Sequence, residues 1–145
     1  MVVIRNLRFN EWIRPLKLSA QILTHTPQPQ KTLLQLKLPI SLLVMKLYHK
    51  ETIYVAEQED QIIGICIAQI QDNTLIIEGT AIHSDHRRKG ISSQLKEAVE
   101  ETAKKHGAIK AITKIEPTNK PAIKMALTQG YQATEKEKIY EKNLD

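Results

Sequence analysis

A chain of 145 residues with 21 Lys and Arg against 16 Asp and Glu, a formal net charge of +5 and 41% apolar side chains can bury a core of its own and reads as one domain over residues 1–145. Its lone cysteine, Cys66, excludes an internal disulfide and a multi-cysteine metal site, while one Trp and one Phe without basic–aromatic interleaving disfavour nucleic-acid binding by base stacking. The longest apolar region, Leu33 to Leu47, is broken by Lys37, Pro39 and Lys46 and is too short to cross a bilayer; with no basic-then-apolar leader, the expected location is cytoplasmic.

In chain order, the β-branched Val2-Val3-Ile4 predicts a strand over Val2–Arg8. Asn10 caps a helical pattern from Glu11 to Thr24, and Pro15 belongs in its first turn or breaks it. Pro27 and Pro29 make a loop of His25–Gln30. A second helical region, Lys31–Leu47, carries a run of leucines that reads as core packing and is kinked or split by Pro39. From Thr52 the period changes to strands: Thr52–Gln58, Gln61–Ile70 and Thr74–Ile82, joined at Glu59-Asp60 and Asp72-Asn73 into an antiparallel meander. Cys66, inside the apolar run Ile62–Ala68, reads as a buried strand residue.

A helix follows, with Ile91, Leu95, Val99 and Thr102 on one face and Gly107 as its stop. Then come a strand over Ala108–Ile115, a loop at Pro117, and a helix Lys120–Thr128 capped by Asn119 and ended by Gly130. Short strands at Tyr131–Thr134 and Lys138–Lys142 finish the chain. The order β-α-α-β-β-β-α-β-α-β-β belongs to the α/β (α+β) class, a mixed, mostly antiparallel sheet flanked by helices.

The chemistry concentrates between the third meander strand and the helix after it. There His83-Ser84-Asp85-His86-Arg87-Arg88-Lys89-Gly90 leads into Ile91-Ser92-Ser93. The first amides of a helix lack intrahelical partners, and the helix dipole makes that end positive. A basic loop opening a helix therefore suits a phosphate, and Gly90, lacking a Cβ, lets the backbone approach it. The Gly-x-Gly-x-x-Gly of dinucleotide folds and the Gly-Lys-Ser/Thr of nucleoside-triphosphate loops are both absent.

Arg87-Arg88-Lys89-Gly90-Ile91-Ser92 resembles the Gln/Arg-x-x-Gly-x-Gly/Ala pyrophosphate loop of the GCN5-related N-acetyltransferase family, with Ser92 in place of the usual Gly or Ala. Asn119-Lys120-Pro121-Ala122 followed by Gly130-Tyr131 is similar to that family's Asn-x-x-Ala…Gly-Phe/Tyr segment. The likeness runs over roughly Thr52 to Lys142. It implies acetyl-CoA as co-substrate. The pantetheine arm would pair with the strand edge around Thr80, Ala81, Ile82 and His83, and the pyrophosphate would sit on the amides and side chains of Arg87, Arg88, Lys89, Gly90, Ile91, Ser92 and Ser93. Asn119 and Lys124 would complete the nucleotide site, Lys120 or Lys124 meeting the 3′-phosphate. A backbone N–H at Ile82 or a neighbour would polarise the thioester carbonyl.

An alkyl amine of pKa about 10.4 needs a base near neutral pH. The resemblance points to Glu78, three residues before Ala81; four residues before Ile82, it is expected on the same face as Thr80 and Ile82. The tyrosine that protonates the thiolate in many relatives falls on Ala126, leaving Tyr48, Tyr54, Tyr131 and Tyr140 as substitutes. His83 and His86 flank Asp85, but without further placed ligands they make no metal site. The expected activity is acetyl-CoA-dependent N-acetylation of a primary amine, small molecule or peptide, by direct attack in a ternary complex, by a monomer or a homodimer. Two other readings stay open. One is a CoA-binding sensor or interaction module that has lost catalysis, to which Ser92 and Ala126 point. The other is an acetyltransferase acting on a protein or an aminoacyl-tRNA, which the net charge of +5 favours through steering.

Overall fold

The computed structural model describes residues 1–8, 11 and 53–144. The two helices expected between Glu11 and Leu47, and Asn10 as a cap, lie outside the described residues. Seven strands form one sheet: β1 (Val3–Asn6), β2 (Ile53–Gln58), β3 (Gln61–Gln71), β4 (Thr74–Ile82), β5 (Lys110–Lys114), β6 (Gln132–Ala133) and β7 (Ile139–Asn143). Their spatial order is β1-β2-β3-β4-β5-β7-β6. Among the described residues only the β4–β5 pairing is parallel. Two helices are described, α1 (Ile91–Lys105) and α2 (Lys120–Thr128). The mixed sheet flanked by helices expected from the sequence is the fold observed.

Turn chemistry sets the meander. Glu59 and Asp60 (φ 51° and 59°) and Asp72 and Asn73 (φ 47° and 59°) are all left-handed, the two-residue hairpin turn whose twist matches the strands it joins. The strand expected over Ala108–Ile115 is shorter, Lys110–Lys114, and residues 108, 109 and 115 fall outside it: Ala108 N–H is taken by the Ala103 carbonyl as the helix ends. Gly107, at φ 83°, gives that helix the left-handed stop a side chain would strain.

The apolar side chains fall into two clusters, one for each set of alternating strand positions. Ala56, Cys66, Ala68, Leu75 and Ile77 pack with Ile91, Leu95, Val99 and Ala103 of α1. Leu7, Ile53, Val55, Ile65, Ile67 and Ala81 form the other. In α1 the residue that completes the buried stripe is Ala103; Thr102, expected there, is half-buried and pairs with the Tyr54 hydroxyl. Gly64 of β3 is where helix and sheet meet most closely. A Cβ there would lie 2.8 Å from Ile82 Cδ1 and 3.1 Å from Leu95 Cδ1, so this glycine fixes how near the start of α1 sits to the end of β4.

Candidate active site

The site is made by two strands that part. β4 and β5 pair from Thr74↔Lys110 to Ile77↔Thr113 and no further, leaving Glu78 to Ile82 without a strand on that edge. Its N–H and C=O groups are a template for an extended ligand. The register of β3 against β4 shifts at the same point, Ile67 pairing with Gly79 and Ala68 with Ile77. Glu78 is the extra residue of a β-bulge, which bends and twists the strand that carries it. A cleft of about 540 Å³ opens there, with Ile77–Thr80 on one wall, Thr113–Glu116 on the other, and Lys96 of α1 and Asn119, Pro121, Ala122 and Met125 around the start of α2.

The bulge corrects the expected side of Glu78. Leu75 and Ile77 belong to the cluster under α1, yet Ala81 belongs to the other, so the alternation changes phase between them. Thr80, whose hydroxyl donates to Cys66 Sγ at 3.5 Å, and Ile82 face α1. Glu78 lies on the opposite face, exposed, where its Oε1 accepts from Gln69 Nε2 at 2.7 Å.

Beyond Ile82 a short 3₁₀ turn, Ser84–His86, leads to the basic loop. His83, Arg87, Arg88, Lys89 and Gly90 are exposed; Arg87 Nε donates to the Ile82 carbonyl at 3.2 Å, tying loop to strand end. Arg88 is left-handed at φ 60°, and so is Gly90, the N-cap of α1, at φ 75°. A left-handed residue joined to a right-handed one makes consecutive amides converge on an anion. Among the described residues no side chain caps α1, so the amides of Ile91, Ser92 and Ser93 have no partner there in the helix or from a cap. Gly90 is required for its φ rather than for space, since a Cβ would meet nothing nearer than Gln94 Nε2 at 4.0 Å. His83 Nδ1 and Asp85 Oδ2 are 3.8 Å apart; among the described residues no three His, Cys, Asp or Glu side chains are grouped to hold a metal.

The second block is placed less evenly. Asn119 lines the cleft and caps α2, its Oδ1 accepting from Ala122 N–H at 3.3 Å. Lys124 is exposed on α2 and does not line the cleft. Ala126 is fully buried. Tyr131 is 1% exposed and donates to Glu100 Oε1 at 2.7 Å. Neither Tyr54, Tyr131 nor Tyr140 lines the cleft, and Tyr48 lies outside the described residues. Cys66 is buried as expected, and burial pushes its thiol up to about 11, with the Thr80 hydrogen bond acting the other way.

Two residues went unnoticed in the sequence. Lys96 and Glu100, 4% and 5% exposed, flank the apolar stripe of α1 one turn apart. Lys142 Nζ lies 2.6 Å from Glu100 Oε2. Lys96 Nζ stands 5.6 Å from the Tyr131 ring centroid. Charged residues at i and i+4 interleaved with Leu95 and Val99 were the signal that could have found them.

The fold and the chain can now be set beside known proteins. The chain superposes on the PaiA N-acetyltransferase of Thermoplasma acidophilum, solved with coenzyme A, with a TM-score of 0.83 over 99% of each chain at 16% identity. The ribosomal-protein-S18-alanine N-acetyltransferase of Escherichia coli gives 0.74 over 100% of this chain and 95% of that one, at 16% identity. Diaminobutyrate acetyltransferase of Paenibacillus lautus, solved with L-2,4-diaminobutyric acid and coenzyme A, gives 0.73 over 97% and 92%, at 21% identity. At such identities the likeness is one of fold. No curated protein matches the chain in sequence. The model of the acetyltransferase (GNAT) family matches residues 18–131, a span that takes in the parted strands, the basic loop and the Asn119–Tyr131 segment. This chain therefore belongs to the acetyltransferase (GNAT) family, acyltransferases for which acetyl-CoA is the co-substrate.

Proposed function

We propose that this protein acetylates a primary amine by direct attack on acetyl-CoA in a ternary complex, and that it is an active enzyme rather than a sensor. The observation that carries the reading is the free edge of β4 running from Glu78 to Ile82 into the uncapped start of α1. A cleft, an unpaired strand edge and an anion-binding helix end, in line, fit an extended pantetheine ending in a pyrophosphate. When bound, acetyl-CoA supplies an acyl carbon activated as a thioester. The chain's share is to hold it. Ala81, Ile82 and His83 offer backbone groups. Arg87, Arg88 and Lys89 supply charge beside the amides of Gly90, Ile91, Ser92 and Ser93. Asn119 shapes the cleft from the far side, and Lys124, exposed on α2, reaches only a phosphate lying outside it.

Glu78 takes the proton of the acceptor amine, directly or through water. Its exposure on the face away from α1 lets an amine approach from that side, with the carboxylate oriented by Gln69. Two of the structural relatives are named for amine acceptors, an alanine of a ribosomal protein and diaminobutyric acid, which supports an amine here. Among the described residues no helix is long and apolar enough to cross a membrane.

Calorimetric titration tests the reading, with acetyl-CoA, free CoA and dephospho-CoA compared on the wild type, Gly90→Glu and Gly90→Asn. The wild type should bind acetyl-CoA. In Gly90→Glu the carboxylate repels the pyrophosphate, and a side chain at φ 75° costs about 1–2 kcal/mol. Binding should weaken about 100-fold, since each tenfold is about 1.4 kcal/mol. Asn tolerates the left-handed region and carries no charge, so Gly90→Asn should stay within about tenfold of the wild type. Heat from none of the three ligands would mean that the loop is only a helix entry and would sink the reading.

A further inference from the structure

Glu78 accounts for a proton leaving the amine. A proton must also reach the sulfur, because the departing group is a thiolate. The cleft wall holds few groups able to give one. The Thr80 hydroxyl is committed to Cys66 Sγ, and that of Thr113 to the Ile77 carbonyl at 3.4 Å. Outside the cleft wall, the Tyr131 hydroxyl is committed to Glu100, and that of Tyr54 to Thr102. Lys114 and Thr118, which also line the cleft, are exposed.

Lys96 is different. It is buried, it lines the cleft on the α1 side, and its Nζ has neither a hydrogen bond nor an ion pair among the described residues. Glu100, whose charge acts on Lys96, accepts from Lys142 and Tyr131 instead. Lys96 therefore keeps a desolvated amine facing the cleft, its Nζ 5.6 Å from the Tyr131 ring centroid. An ammonium held this way is expensive and is seldom kept without a use.

We infer that Lys96 is the acid of the reaction, its Nζ delivering a proton to the sulfur of the departing coenzyme A. This rests on the acetyl-transfer reading above. The acceptor nitrogen forms a bond to the acyl carbon, the carbon–sulfur bond breaks, and its electron pair stays on sulfur. A proton passes from Lys96 Nζ to that sulfur, leaving a neutral amine and a free thiol. The proton released by the attacking amine goes to Glu78 and on to solvent, and Lys96 is recharged from solvent. Base and acid then stand on opposite faces of the sheet, one where the amine enters and one where the sulfur leaves.

The groups around Lys96 suit the task. Burial pushes its ammonium below the ordinary lysine range; Cys66 of β3 and Glu100 of α1 act against that, and Lys142 of β7 adds to it. Across the cleft stand Glu78, Lys114 and Glu116. A lysine whose burial weakens its hold on the proton gives that proton to a thiolate more readily than a solvated one does.

The test reads the thiol itself. Free CoA is bound to the wild type, Lys96→Met and Lys96→Arg, and thiolate formation is followed by its ultraviolet absorbance against pH. With the wild type, the bound thiol should titrate about one unit or more below free CoA, since an adjacent cation favours the thiolate. In Lys96→Met that shift should vanish while CoA affinity stays within about threefold. In Lys96→Arg the shift should persist, because the charge remains, yet turnover should stay low, because arginine does not release its proton. Lys96→Met should melt no lower than the wild type, since a desolvated amine is replaced by an apolar chain of similar length. Identical thiol titrations in the wild type and Lys96→Met, with CoA bound to both, would overturn the assignment. Absence of CoA binding by the wild type would overturn it together with the acetyl-transfer reading, and calorimetry tells the two failures apart.

Discussion

Glu78→Gln should lower turnover at neutral pH by about 10²–10³-fold while leaving acetyl-CoA affinity within about threefold. Glutamine keeps the shape of the side chain and one oxygen to accept from Gln69 Nε2, the 2.7 Å partner of Glu78, so geometry is preserved and only the base is lost. Near pH 7 about one alkyl amine in 2,500 is unprotonated, given a pKa of about 10.4. That fraction is what the variant must live on. The deficit should therefore shrink as pH rises and solvent deprotonates the acceptor. The measurement is CoA-thiol release at saturating acetyl-CoA, with whichever amine of a screened panel gives wild-type turnover. Equal rates in both enzymes at neutral pH would remove Glu78 from the mechanism, and a deficit constant across pH would assign it a positioning role.

That prediction depends on a feature the sequence hid. The residues of the basic loop and its helix could be read directly, because a left-handed N-cap, unpaired helix amides and clustered basic side chains are local properties of Arg87 to Ser93. The turns at Glu59-Asp60 and Asp72-Asn73, the stop at Gly107 and the Asn119 cap are local too, and all stand where expected. The face of Glu78 was not local. Alternation counted back from Ile82 put it beside Thr80, but the phase change arises from how β4 registers against β3, ten residues away along the hairpin. Gly79 was the available sign, since a glycine inside a strand often marks a bulge.

Lys96 and Glu100 were hidden for another reason. Helical periodicity marks the stripe Ile91, Leu95 and Val99. It does not tell that β7 will bring Lys142 against the flank of that stripe, or that Tyr131 will close over it. Burial of a charged side chain is decided by partners remote in sequence.

The largest stability loss should come from those remote partners. Glu100→Ala should cost about 3–4 kcal/mol, the lower part of the range for removing one member of a buried ion pair. Glu100 is 5% exposed and holds two groups at once, Tyr131 Oη at 2.7 Å and Lys142 Nζ at 2.6 Å. Alanine leaves the Tyr131 hydroxyl, on a residue 1% exposed, without its acceptor, which alone costs about 1–3 kcal/mol. It also strips Lys142, whose side chain keeps 27% of its exposure and so regains part of its hydration. Glu100→Gln retains an acceptor for tyrosine and should lose about half as much. Urea denaturation reads both, with an unchanged slope showing that the unfolded state has not moved. The loss should deepen through Lys96. Without Glu100 the buried amine has one fewer negative neighbour, and Lys142 still repels it. In Lys96→Met the same Glu100→Ala change should therefore cost about 0.5–1 kcal/mol less, a coupling within the range for residues in one network. A zero coupling would place Lys96 outside the influence of Glu100. A loss below about 1 kcal/mol for Glu100→Ala would mean that water replaces the carboxylate, and that the wall behind Lys96 is held by apolar packing alone.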